Sequence, residues 1–365
     1  MKKTFTFVKV PHCQVVFGKK LSLKAQLFCM LKTFDEKFSG FLSVVILPFL
    51  LFFMSYYGFE SSYTHFKTSE RPPDFLFSSV YSYRIIPNYL SIYMTDLMEY
   101  CINNPLLSPF KNFFIKNGTP FYHGLFLTNT VFFILSSVII NAILKFRSFD
   151  FFSNIMMRRI VHLLMVFFIV MTQYTPSNCD TIALFCYLVG IVLTLKYHHT
   201  NRNLFFYLLI ILIAVSTLVR ETACLNIAFF AAVFFSLKEI KQKNFQFIWK
   251  VIPLLLSFLM PYLGLRIFLN QEEKSSFMEG IYIVANFTSP FNLAGLLFSA
   301  VVLYFMYKLC ADDKNKLVFK KYLFFSLPYI GMITLVGLFW EVRLFLPLIL
   351  TGVVIACHDF KKLYN

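Results

Sequence analysis

Charged positions in this chain come in short clusters, and long blocks between the clusters carry no charge at all, as at 204–218 and 222–237. Inside the blocks apolar residues run continuously instead of alternating. That excludes the strand pattern of a membrane barrel and predicts helices that are apolar all round. Apolar windows, uncharged apart from Arg266, place about ten spans, at 41–58, 124–144, 160–174, 181–195, 204–218, 223–237, 251–269, 293–307, 322–339 and 344–357. The shortest windows hold ~15 residues, or ~22 Å of helix against a hydrocarbon core of ~30 Å. These must recruit flanking residues, thin the bilayer or pair as half-spanning hairpins.

Composition agrees with an all-α, polytopic membrane protein. Of 365 residues, 58% are hydrophobic and 49 are Phe, only 14% are charged, and the mean hydropathy is +0.68. No soluble domain carries that much apolar content. The net charge of +16 is distributed by topology. One alternate set of connections, with both termini, holds 25 of the 34 basic and 7 of the 18 acidic residues; the other set holds 9 and 11. Basic residues mark the cytoplasmic side, so both termini are expected there. The charge is therefore not a nucleic-acid footprint. The expected organisation is a basic cytoplasmic segment over 1–39, a single membrane domain over 40–358 with a large first external loop at 59–123, and a cytoplasmic tail at 359–365.

Lysines interrupt the N-terminal segment too often for a signal peptide, and 21–34 reads either as an interfacial helix on the inner leaflet or as a loose basic tail. Eight scattered cysteines without a CxxC pair argue against a disulfide framework and a structural zinc site. His198 and His199 read as a solvated pair on a cytoplasmic loop. No P-loop, dinucleotide or nucleophile-elbow motif is present; no cofactor is expected, and nothing in the sequence indicates a divalent metal or excludes one. In the first external loop, 87–100 reads as an amphipathic helix with Leu90, Tyr93, Met94 and Leu97 on its apolar face, or as an ordered loop on the bundle, and 104–118 reads as a second interfacial segment. Two external sequons begin at Asn117 and Asn286.

The charges that do border the apolar blocks on the external side carry the candidate chemistry. They stand in "YSYRIIP" (81–87), "PSNCD" (176–180), "RET" (220–222) and "EVRLFLP" (341–347). A carboxylate or guanidinium held at a helix end needs a partner or a ligand. The plain reading is a set of interhelical ion pairs or headgroup contacts. The functional reading is a site for a lipid-linked phosphate, because arginine presents a planar fork of donors and keeps its charge when desolvated.

Written as YxYRxxP, PxxxD, RET and ExRxxxP, these motifs, together with a first span followed by a large external loop, resemble the bacterial polytopic glycosyltransferases of the C-type superfamily over about 41–357. The resemblance implies transfer of a sugar from a polyprenyl-phosphate donor to a glycan, lipid or protein acceptor at the outer face of the bacterial inner membrane, with a catalytic acid in the first external loop. The acidic doublet common at that place is absent; Glu60, Asp74, Asp96 and Glu99 stand singly. Glu60 or Asp74 is the expected base. Arg84, Arg220 and Arg343 are the phosphate-binding candidates, with Glu221 and Glu341 holding arginine side chains in place. Asp180 either binds sugar hydroxyls or caps the helix starting at Thr181. Two rival readings are a lipid-linked glycan flippase or other transporter, disfavoured by spans nearly free of charge, and an outer-face glycan polymerase or ligase, disfavoured by short late loops.

Overall fold

The structure, a computed structural model, describes residues 36–58, 64–77, 81–104, 109–146, 154–173, 177–236, 242, 245–269 and 281–360. The expected N-terminal interfacial helix at 21–34 and most of the N-terminal and C-terminal segments lie outside the described residues. Those described form helices and no strand. In chain order they are α1 (Glu36–Tyr57), α2 (Ile85–Asn103), α3 (Lys111–Asn117), α4 (Pro120–Lys145), α5 (Ile155–Gln173), α6 (Asp180–Thr200), α7 (Asn203–Thr217), α8 (Cys224–Phe234), α9 (Gln246–Phe268), α10 (Ile283–Thr288), α11 (Pro290–Leu309), α12 (Asp313–Phe325), α13 (Leu327–Val336) and α14 (Leu346–Cys357). Six of them (α1, α4, α5, α6, α9 and α11) are long and apolar enough to cross a membrane. Shorter apolar helices correspond to the windows at 204–218, 223–237, 322–339 and 344–357. The window at 322–339 proves to be two helices: Ser326 separates α12 from α13, and Pro328 sits in the first turn of α13, where its missing N–H costs nothing.

Local chemistry sets several boundaries. Thr119 caps α4, its hydroxyl accepting from the Tyr122 N–H at 3.3 Å and donating to the Ser69 carbonyl at 2.6 Å, with Pro120 as the first helical residue. Asn201 ends α6 in the left-handed conformation (φ 49°), which Asn tolerates better than most residues, and so turns the chain straight into α7.

Helix α6 is the central post. Its apolar stretch is 67% buried inside the protein, against 6% for α9, whose Leu, Ile, Met and Trp side chains face outward as lipid-facing surface would. Around α6 pack α4, α7 and α8, while α12 packs on α8 and α14 on α11. Lipid is as apolar as these side chains, so small residues and internal hydrogen bonds hold such helices together. Gly190 lets α8 lie against α6: a Cβ there would stand 2.3 Å from the Asn226 side chain. Where α6, α12 and α14 meet, the hydroxyls of Tyr187, Tyr322 and Thr351 satisfy one another.

The helix ends gather at two poles. At one, Arg220 and Arg343 meet Asp180, Arg266 meets Tyr83, and the Asn286 amide donates to the carbonyls of Thr334 and Gly337. At the other, Arg159 donates to the Glu36 carbonyl, Lys321 to the Phe235 carbonyl, and His199 meets His358. Helix α6 runs from the first pole at Asp180 to the second at His199, ~30 Å at 1.5 Å per residue.

Two expectations are corrected here. His198 and His199 are not a solvated loop pair. They end α6 and pack on Phe234, Phe146 and buried His358, with His199 Nε2 3.3 Å from His358 Nε2. Asn286, at the second sequon, is fully buried and engaged through both amide atoms. The helix at 87–100 forms as α2, but its buried face is rotated from the expected one: of the expected stripe, Leu90 and Met94 are partly buried and Tyr93 and Leu97 are not. Pro87, Asn88, Ser91, Thr95 and Met98 are buried, whereas Tyr89, Tyr93, Leu97 and Tyr100 are exposed. Close approach decides the face: α2 crosses α4 at Gly124, where a Cβ would meet the Met94 carbonyl at 2.9 Å, and only small residues fit such a contact. Of the segment at 104–118, α3 is helical and 105–108 lie outside the described residues.

Candidate functional site

Asp180 opens α6, and the preceding turn wraps around its carboxylate: Oδ2 accepts from the Ser177 N–H at 2.9 Å and from the Ser177 hydroxyl at 3.0 Å. Those bonds point back into the loop and not forward into α6, whose N-cap, Cys179, makes no side-chain capping bond. The helix-capping role considered for Asp180 is therefore corrected. The carboxylate instead receives two guanidinium groups. Arg220 Nη1 donates to Oδ1, and Arg343 Nη1 donates to Oδ2 at 3.0 Å.

Each arginine is delivered by a short irregular segment between helices. Arg220 lies in extended backbone (φ −166°, ψ 152°) between α7 and the single turn Glu221–Ala223. Arg343 lies in the turn Val342–Leu344 that leads into α14. Glu341, two residues earlier, accepts from Arg343 Nε at 3.2 Å and Nη2 at 3.0 Å through one oxygen, which fixes the plane of the fork. Arg84, immediately before α2, closes the group. Its Nη2 is 3.8 Å from Glu221 Oε2, its Nη1 points to Cys179 Sγ at 3.5 Å, and its guanidinium lies 4.7 Å from the Tyr81 ring centre. Its Nε is buried and has no hydrogen-bond partner among the described residues.

The three arginine side chains are 13–14% exposed and that of Asp180 2%, so the cluster is a mostly dehydrated recess and not a surface patch. Burial works against the charge of Arg220, but the field of Asp180 more than offsets it and holds the guanidinium protonated beyond its usual range. Behind Asp180, Asn129 on α4 donates to the Ser177 carbonyl at 3.2 Å and to the Tyr56 hydroxyl at 2.8 Å, and it accepts from Thr181 at 2.5 Å. The loop that presents Asp180 is thereby tied to α1 and α4.

The structure thus brings together Arg84, Asp180, Arg220, Glu221, Glu341 and Arg343 at one pole. Asp74 is exposed at the start of the turn Asp74–Phe77 and takes no part in these ion pairs. Glu60 lies outside the described residues. One neighbour escaped the sequence reading. Arg266, in the last turn of α9, stacks 3.6 Å from the ring centre of Tyr262 and 4.6 Å from that of Tyr83, and Tyr262 lies within electrostatic reach of both Arg266 and Glu221. Its signal was present: it is the charge near the external end of the window at 251–269, the same placement that marks Arg220. Among the described residues no three His, Cys, Asp or Glu side chains are arranged to hold a metal ion.

The six residues cancel in charge, and Arg266 adds one positive charge beside them. Comparison with protein-family models, with curated proteins and with solved structures finds no match for this chain.

Proposed function

We propose that this chain is a membrane glycosyltransferase that moves a sugar from a polyprenyl-phosphate donor to a glycan, lipid or protein acceptor at the outer face of a bacterial inner membrane. In this reading it crosses the membrane ten times, by the six long helices, α7, α8, α14 and α12 with α13, and both termini are cytoplasmic. The observation that carries the reading is the gathering of Arg84, Arg220 and Arg343 in one recess at a single pole. A departing lipid phosphate needs concentrated, fixed positive charge, and three arginines from three separate connections supply it.

Roles follow from how tightly each residue is held. Asp180 positions Arg220 and Arg343. Glu341 orients Arg343. Arg84 has the longest ion pair of the set and a donor without a partner among the described residues, so donor phosphate enters there and displaces Glu221. The acceptor hydroxyl loses its proton to a first-loop carboxylate, Glu60 or Asp74, because Asp180 is committed to two guanidinium groups and is a weak base. A phosphate leaving group needs no general acid, and no cofactor takes part.

One feature favours a second, non-enzymatic reading: every arginine of the trio already faces an acid, as in a lock that only fixes helix ends. Transfer of labelled sugar from polyprenyl phosphate in membranes separates the two. Arg84→Lys keeps the charge but loses the fork, and is expected to cut transfer at least tenfold while the protein folds normally. Undiminished transfer by this variant would oppose the phosphate role, and an absence of transfer by the wild type from every polyprenyl-linked sugar would favour the lock.

A further inference from the structure

A second feature lies on the other side of α1. Tyr56 faces the Asn129 network behind Asp180, whereas its neighbour Tyr57 faces a cavity of about 500 Å³. Phe49, Phe53 and Tyr57, at i, i+4 and i+8 on α1, form one wall; Phe126 and Leu127 of α4 form another; Phe113 and Phe114 of α3 close it. The lining is almost wholly apolar. The polar groups of His123 are spent in its wall, Nδ1 2.8 Å from the Tyr57 hydroxyl and Nε2 2.9 Å from the Phe114 carbonyl. An apolar cavity without polar partners does not hold ordered water, and this volume falls in the range of roughly 300–1,000 Å³ typical of ligand pockets.

The same short helix that supplies Phe113 and Phe114 carries Lys111 and Lys116, both exposed, and Lys67 lies within electrostatic reach of His123. Aromatic floor and lysine rim therefore belong to one construction. From this we infer that the cavity holds one acyl chain of an anionic phospholipid, whose headgroup sits at Lys67, Lys111 and Lys116. The headgroup charge follows from the lysines, which attract anionic lipid. This lipid is a structural partner that seats α2 and α3 on the bundle, and its presence does not depend on the sugar-transfer reading.

Cys101 lines the cavity as a free thiol and reports on its occupancy. The full chain is placed in nanodiscs of phosphatidylglycerol or of phosphatidylcholine, and the rate of Cys101 alkylation by a small apolar maleimide is read by peptide mass spectrometry. Labelling is expected to be about tenfold slower in phosphatidylglycerol, as for a site occupied well above its dissociation constant. Lys111→Gln with Lys116→Gln should remove that difference. In parallel, native mass spectrometry should find one phosphatidylglycerol retained by the wild type and none by Leu127→Trp, whose indole fills the cavity, while both elute as monodisperse species. Equal labelling in the two lipids would overturn the proposal. So would protection that appears only when polyprenyl phosphate is added to phosphatidylcholine discs. If Leu127→Trp does not fold, the lysine variant still decides the question.

Discussion

At the scale of single residues, Asp180 is the most constrained group at the site. Removing its charge leaves Arg220 and Arg343 facing each other in a recess where their partner side chain is 2% exposed. Breaking a buried pair from one side costs about 3–5 kcal/mol, so Asp180→Asn is expected to lower the thermal unfolding midpoint in detergent sharply, whereas Asp74→Asn, at an exposed position, should leave it unchanged. Equal midpoints for the two variants would contradict the ion-pair centre described here. At the opposite pole, burial, with the nearby His199 adding to it, lowers His358 to about 3 from its usual 6.5, and the Phe146 carbonyl and Asp359 pull only weakly the other way. The unfolded chain therefore binds a proton below pH 6.5 that the folded chain refuses. Stability is expected to be full above pH 6.5 and to fall as the pH drops toward about 3, and His358→Gln should flatten that slope in unfolding measured across the range. An unchanged slope would show that other groups control the acid response.

Elements depend on contacts that a hydrophobic pattern does not encode. Gly124 brings α2 against α4 so closely that a Cβ would stand 2.9 Å from the Met94 backbone. Gly124→Val should therefore cost about 1–3 kcal/mol through overpacking, and it should make 85–103 cleavable by protease while α6, at the centre of the bundle, stays protected. Protection of α2 in that variant would mean that its seat lies elsewhere. The face of α2 was misread from sequence for a physical reason. Leu90, Tyr93, Met94 and Leu97 form an apolar stripe that predicts the buried face, but close approach to α4 at Gly124 turns small polar residues inward, and the outward side mixes Tyr89, Tyr93 and Leu97 with Asp96 and Glu99. Ser91 and Thr95 bond to their own helix at 2.7 Å and so pack inward without an unmet donor. By contrast, Asp180, Arg220 and Arg343 were legible because each stands at the edge of a block without charge, and Arg84 because it stands in the motif YxYRxxP. Arg266 carries the same signal, a charge near the external end of a block, but its stacking partner Tyr83 comes from a connection far away in sequence and is not legible there. His198 and His199 looked solvated for a similar reason: what covers them, His358 and Phe360, arrives from the far end of the chain.

For the molecule as a whole, segregated basic residues and two poles of helix ends make one topological claim. Glu99→Cys, on exposed α2, should react with a membrane-impermeant maleimide in intact cells, and Asp313→Cys, exposed at the start of α12, only after permeabilisation. The reverse pattern would invert the orientation and move the arginine recess to the cytoplasmic side. The central claim concerns what that recess binds. Its most direct test is equilibrium binding of a polyprenyl-phosphate sugar to the purified chain in nanodiscs, compared between the wild type and Arg84→Gln. Arg84 is placed at the entry point of the phosphate, so its loss should weaken binding about tenfold or more, as expected for the removal of a charge-assisted contact, while the unfolding midpoint stays near that of the wild type. Binding of equal strength in both proteins, with the fold of each intact, would contradict the account.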